Sequence, residues 1–257
     1  MSIHPTAIVA PGAVIDPTAE IGPYVVIGPK VRIGPGTTVG ASTVIDGDTT
    51  IGARNHIFHL ASVGAAPQDL KYAGEPTRLV IGDENLIREF TTLHIGTEGG
   101  GGVTTIGSKN LFMANSHVAH DCVVGDGCVL ANSVALGGHV QIGDFVILGG
   151  LSAVHQFTRI GKHAFISGGS MVAMDVPPYC TAQGDRAELA GLNTVGLTRH
   201  GFTEEQISHV KDAYRILFRS KLGLNEALDR LRAEHGSHPE IEVLLSFISQ
   251  SKRGITR

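Results

Sequence analysis

The chain contains no tryptophan, and only 5% of its residues are aromatic. A core for 257 residues must therefore be built from small and branched aliphatic side chains. Cysteine is scarce too. There are three, an odd number, and Cys122 and Cys128 stand six apart, which is not a metal-ligand spacing. Disulfides are not expected, and a reducing compartment is. The formal net charge is only −4, so no basic excess marks a nucleic-acid binder. No run approaches the roughly 20 apolar residues of a membrane span. The opening MSIHPTAIVAPGAVIDP has neither the basic start nor the apolar stretch of a secretory signal. These absences lead to the expectation of a cytoplasmic protein without a transmembrane segment.

What is abundant is glycine, 34 residues, and repetition. Every sixth residue from Ile3 to Val63 is Ile or Val. Ile81, Ile87 and Leu93 resume the series in phase, and from Ile106 to Val172 it continues one residue out of phase. Such periodicity predicts a parallel β-helix. Each hexad supplies a short strand and a turn, with the aliphatic pointing inward and glycine expected at the turn, where Cβ would obstruct. Three hexads close one triangular coil of 18 residues. The repeat predicts a β-helical domain over 1–178, interrupted by excursions at 64–80 (GAAPQDLKYAGEPTRLV) and 94–105 (HIGTEGGGGVTT). Long loops on a rigid scaffold are where function concentrates. GGGG lacks the strand–GxxxxGK–helix context of a phosphate loop. A connecting segment is expected over 179–200 and a helical domain over 201–257. Thr203 and Gln206 there form a capping box, and further helices are expected near 224–235 and 239–250.

Of the 13 histidines, His4, His56, His163, His209, His235 and His238 read as solvated or turn residues. Coil arithmetic sets others apart. His139 lies one coil plus one residue beyond His120, and His155 and Gln156 lie nearly a coil further, so they should stack along one corner. His117 shares the stretch HVAHDC with His120, and His94 opens the second excursion. Two chemistries fit such a column. A neutral imidazole can act as general base toward a hydroxyl attacking an acyl carbonyl, with Asp121 orienting it and glycine beside His139 offering an N–H to the oxyanion. Alternatively, three histidines such as His117, His120 and His139 could hold zinc, as in hydratases of the γ-class carbonic anhydrase kind.

QDLKYAGEPTR (68–78), HVAHDC, GGHV, AVHQF, DVPPY and AQG, in this order, resemble the signature of the UDP-N-acetylglucosamine O-acyltransferase family of lipid A synthesis. The resemblance spans essentially the whole chain. It implies a left-handed parallel β-helix with a C-terminal α-helical domain, assembled as a homotrimer with active sites in clefts between subunits. It implies transfer of a 3-hydroxyacyl group from acyl carrier protein to the 3-position of UDP-N-acetylglucosamine, with no metal or other cofactor; some relatives use a 3-amino sugar. His120 matches the general base, Asp121 its orienter and Gly138 the oxyanion donor. Asp69, Lys71, His117, His139, His155 and Gln156 match positions lining the sugar and diphosphate, and His94, at the mouth of the second excursion, is expected among the substrate-binding residues. Asn193 and Arg199 match nucleotide contacts, and Gly168 matches the residue that limits acyl length. The family has a glutamate and a second arginine where this chain has Val195 and His200. Histidine offers phosphate less than arginine does, and only when protonated.

Overall fold

The computed structural model describes residues 2–257. Short strands, mostly two residues long, recur with the hexads from Ser2–Ile3 to Met171–Val172. Ser2 pairs in parallel with Glu20 and Ile3 with Ile21, so one coil takes eighteen residues. The strands stack into three walls. Among the described residues, wall A has eleven strands, from Ser2–Ile3 to Glu188–Leu192; wall B has nine, from Ile8–Val9 to Met171–Val172; wall C has eight, from Val14–Ile15 to Arg159–Ile160. The chain visits A, B and C in turn and crosses the corners A–B, B–C and C–A once per coil.

The second residue of a strand points inward. Ile27, Ile45, Ile57, Leu93, Val118 and Leu136 are fully buried, and together they form the axis that the hexad pattern predicts. Burying one such side chain contributes about 1.5–3 kcal/mol. The glycine that follows the aliphatic has a different role from the one expected. At Gly34 a Cβ would lie 2.6 Å from the carbonyl oxygen of Gly52 in the next coil, so glycine there permits coils to approach. The left-handed turn position falls two residues after that glycine position. At a few coils it holds glycine, as at Gly36 (φ 64°), but at most it holds side chains: Tyr24 (φ 58°), Asp121 (φ 59°), His139 (φ 62°) and Phe157 (φ 65°).

Both excursions leave the B–C corner. The first connects Ser62–Ala65 to Arg78–Ile81, and the second connects Thr92–His94 to Val103–Ile106. His56 pairs with Leu86, thirty residues on, so the first inserts twelve residues and preserves the hexad phase. Leu86 pairs with Leu111, twenty-five on; the second inserts seven, which is the one-residue slip seen in the sequence. The loops proper are shorter than 64–80 and 94–105, because Arg78–Ile81 pairs with Asp48–Ile51 on one side and Val103–Ile106 on the other.

Residues 179–200 are more ordered than a linker. Cys180–Gln183 and Glu188–Leu192 form an antiparallel pair that extends wall A, and α1 (Thr194–Arg199) follows. Helices α2 (Glu204–Tyr214), α3 (Leu224–His235) and α4 (Pro239–Ser249) share a second apolar cluster. The Thr203/Gln206 capping box is present. Two histidines read as solvated or turn residues have packing roles, although His163 does sit at a left-handed turn position (φ 58°). His209 Nδ1 lies 2.7 Å from buried Glu240 and joins α2 to α4, and His163 is buried and stacked on Phe145. Cys122, Cys128 and Cys180 are buried free thiols. No helix among the described residues is long and apolar enough to cross a membrane.

Inside the C–A corner runs a ladder of buried asparagines. Asn85 Oδ1 accepts from the Asn110 amide at 2.9 Å, and Asn85 Nδ2 donates to Asn55 Oδ1 at 2.9 Å and to the Gly107 carbonyl at 3.0 Å. Asn85→Ala strands several buried polar groups at once. We expect it to cost about 2–4 kcal/mol in urea unfolding, at the scale of one or two unsatisfied groups. A loss within 0.5 kcal/mol would mean that the ladder contributes register but little stability.

Candidate active site

The B–C corner turns of three successive coils carry Ala119-His120-Asp121, Gly137-Gly138-His139 and His155-Gln156-Phe157. The predicted column therefore exists, with its imidazoles at different steps of the turn. His120 stacks over Gly138 and Gln156, whereas His139 occupies the left-handed position below Phe157, whose ring lies 4.3 Å from it and nearly parallel. The His120 and His139 rings meet edge to face at 5.1 Å.

Asp121 anchors the group. Its side chain is fully buried, and Oδ2 lies 2.7 Å from His120 Nδ1. The same carboxylate accepts from the Thr97 amide at 2.9 Å and from the Thr97 hydroxyl at 2.6 Å. His139 Nε2 stands 3.9 Å away. With Nδ1 engaged by Asp121, His120 directs Nε2 away from the carboxylate. Gly138 lies directly against that edge: a Cβ there would sit 2.7 Å from His120 Nε2. Any side chain at 138 would displace the imidazole. The Gly138 amide has no hydrogen-bond acceptor among the described residues, and neither do the amides of His120 and Gln156 at the same step of their turns.

His117 lies on the outer face of wall B, where its Nδ1 is 2.7 Å from the Thr92 hydroxyl. His94 meets it edge to face at 4.9 Å. His94 is buried, and its Nδ1 has no partner among the described residues. Burial pushes its pKa down to about 4, with His117 and His120 adding to the effect. Burial also lowers His117 and His139, so the imidazoles around His120 stay neutral near pH 7. Asp69, in the first excursion, faces His139 closely enough to oppose its shift.

Residues 175–256 match the model of UDP-N-acetylglucosamine O-acyltransferase domain 2, and 104–138 match the bacterial transferase hexapeptide model. An acyl-[acyl-carrier-protein]–UDP-N-acetylglucosamine O-acyltransferase of Myxococcus xanthus is 67% identical, with 99% of each chain covered. One of Anaeromyxobacter dehalogenans is 61% identical over both full lengths. The crystal structure of the UDP-N-acetylglucosamine O-acyltransferase (LpxA) of Moraxella catarrhalis RH4 superposes with a TM-score of 0.98 at 47% identity, covering both chains completely. This chain belongs to the UDP-N-acetylglucosamine O-acyltransferase family.

The scaffold is the left-handed parallel β-helix of that family. Nothing in these comparisons supports the zinc hydratase reading. Its three histidines also do not form the close set: His120, Asp121 and His139 do, and Asp121 is already committed to Thr97 and His120.

Not every residue matched to the family's site meets His120 within one chain. Asp69, Lys71, His94, His117, His139, His155 and Gln156 belong to the B–C corner, its excursions or the adjoining strand. Gly168 lies on the A–B corner, across wall B. Asn193 caps α1 and donates from Nδ2 to the His163 carbonyl at the C–A corner, and Arg199 ends the same helix. His200 follows there, with its ring 4.6 Å from Phe145. Reasoning from the sequence passed over Arg253, whose guanidinium lies 3.2 Å from His155 Nδ1. It also passed over Thr97. No motif marks Thr97, but both excursions start from the corner that carries His120, and coil arithmetic alone contains that fact.

The buried histidines make stability depend on pH. His94 and His163 are both pushed down to about 4, largely by burial. In the unfolded chain each binds a proton below about pH 6.5. Between these values the unfolded state holds more protons, so stability present above pH 6.5 is lost as pH falls toward 4. We expect urea unfolding to show about 1–2 kcal/mol lost per histidine between pH 7 and 5. His163→Phe should flatten that slope; an unchanged slope would assign the proton uptake elsewhere.

Proposed function

We propose that this protein transfers a 3-hydroxyacyl group from acyl carrier protein to the 3-hydroxyl of UDP-N-acetylglucosamine, with His120 as general base. The observation that carries this reading is the His120–Asp121 contact at 2.7 Å, which leaves Nε2 free beside Gly138. His120 Nε2 takes the proton of the sugar hydroxyl as its oxygen attacks the thioester carbonyl carbon. The oxyanion accepts from the Gly138 amide. Collapse breaks the carbon–sulfur bond, and imidazolium returns the proton to the departing carrier thiolate. Asp121 holds the tautomer and balances the charge on imidazolium. No step needs a cation, so activity should survive exhaustive chelation; loss with EDTA and recovery with zinc would return the hydratase reading.

Asp69, Lys71, His94, His117, His139, His155 and Gln156 are assigned to the sugar and diphosphate, and Asn193 and Arg199 to the nucleotide. Their spread over different corners supports a homotrimer in which a neighbouring subunit completes each site. The carrier protein and the nucleotide sugar are the partners, in the cytoplasm. Two variants test the assembly and the base together. His120→Ala should keep UDP-sugar binding and lower kcat by roughly 10²–10⁴-fold, the scale of a general base. Mixing unfolded and refolded His120→Ala with Arg199→Ala should recover part of wild-type activity, because some clefts then combine two intact halves. No recovery from the mixture would place both residues in one subunit's site.

Gly168 is assigned to the acyl chain's end. A Cβ there would lie 3.2 Å from the Gly150 carbonyl oxygen, a contact that a small shift of that backbone would relieve. Gly168→Met should shift preference to shorter chains, each excluded methylene forfeiting about 0.8 kcal/mol of burial. An unchanged chain-length profile would locate the limit elsewhere.

A further inference from the structure

The second excursion begins its Gly-rich turn at Thr97, the residue before the short 3₁₀ turn Glu98–Gly100. Threonine in that position ordinarily turns its hydroxyl onto the backbone amides of the turn it precedes. Here it makes no such cap. The hydroxyl is directed to Asp121 Oδ2 at 2.6 Å, the length of a charge-assisted O–H···O bond, and the Thr97 amide takes Oδ1 at 2.9 Å. One residue therefore grips both carboxylate oxygens. The turn is folded to suit: Gly100 and Gly102 donate to the Thr97 carbonyl at 3.0 and 2.9 Å. Gly100 lies directly on the Asp121 carboxyl, where any Cβ would collide with it, and a Cβ on Gly96 would stand 2.8 Å from Oδ1. The glycines thus let backbone approach a buried carboxylate.

We propose that Thr97 is a positioning residue for the acyl transfer, the third member of a Thr97–Asp121–His120 chain, held by a glycine clamp centred on Gly100. The proposal rests on the reading of His120 as base. Without the Thr97 hydroxyl, Asp121 Oδ2 would keep only the His120 bond, while the Thr97 amide still holds Oδ1 and His139 at 3.9 Å is beyond hydrogen-bond reach. A carboxylate held less firmly would aim Nε2 less accurately at the sugar hydroxyl. Thr97 reaches the reaction only through Asp121, so its loss should lower turnover and leave substrate affinity alone.

Thr97→Val removes the hydroxyl and keeps the branched shape; Thr97→Ser keeps the hydroxyl. With Thr97→Val, kcat should fall about 10- to 100-fold, the worth of one hydrogen bond to a charged group, with KM for the UDP-sugar unchanged. Thr97→Ser should restore most of that. The low-field proton NMR signal of the His120 Nδ1–H should move in Thr97→Val and stay in Thr97→Ser. Gly100→Ala gives a second approach: it leaves both Thr97 donors in place but drives a methyl into the carboxylate, and should lower kcat and move the same signal. Val and Ser variants equally impaired, or a Val variant with kcat within twofold and an unmoved signal, would overturn the role of Thr97. Wild-type turnover in His120→Ala would instead overturn the base itself, whatever Thr97 does.

Discussion

Each coil must return the chain to where the previous coil began, eighteen residues earlier, with the same residue facing inward. The rest of the molecule depends on this closure. A strand of two residues has little stability alone; paired above and below and packed on a continuous aliphatic axis, it becomes part of one cooperative stack. Closure also decides where the chain can deviate. Both insertions sit at a corner, and both end in strands that rejoin their wall in register. Insertions of twelve and seven residues are equally tolerated, because a corner can carry a loop of any length while a strand cannot shift by one residue without turning its aliphatic out.

The corner that holds His120 and Asp121 spends some of this stability. Asp121 is a fully buried carboxylate in a left-handed turn, a conformation that costs a non-glycine residue about 1–2 kcal/mol. Burying it without partners would cost several kcal/mol more. Three hydrogen bonds offset this, two from Thr97 and one from His120. The surrounding histidines contribute by remaining neutral: His94, His117 and His139 are all depressed by burial, so no competing positive charge faces His120 near pH 7. The result is a polar group that is rigid because each member satisfies its neighbour.

The C-terminal helices pack on the end of the β-helix and are tied to its last coils. The tail returns to the last coils, with Ser251 donating to Asp175 and the Thr256 amide to the Asp175 carbonyl, and this brings Arg253 to His155. Helix α1 begins where the Asn193 side chain is tied to the His163 carbonyl. Arg199 therefore has a fixed place relative to the C–A corner. The basic residues just beyond α2 are partly compensated: Arg215 pairs with Asp212, and Arg219 lies over the Tyr214 ring.

Much was legible in the sequence because burial inside a prism leaves a strict trace. The hexad determined the walls, the inward residues, the coil length and both interruptions; the one-residue slip at Ile106 recorded the seven-residue insertion. HVAHDC and QDLKYAGEPTR carried the family, and the capping box marked the start of α2. The tertiary structure decided what spacing does not encode. Glycine after the aliphatic serves the approach of coils, and the left-handed position falls two residues later, where Asp121 and His139 stand. His163 is buried against Phe145 and the half-buried His209 is paired with Glu240, though nothing local distinguishes them from surface histidines. Thr97 and Gly100 close on a carboxylate more than twenty residues away, and Gly168, Asn193 and Arg199 fall on corners other than that of His120. Periodicity reports which side of the wall a residue faces, because water and core select for that at every turn. Which loop closes over which side chain is selected once, at a single contact, and only the folded chain brings that contact about.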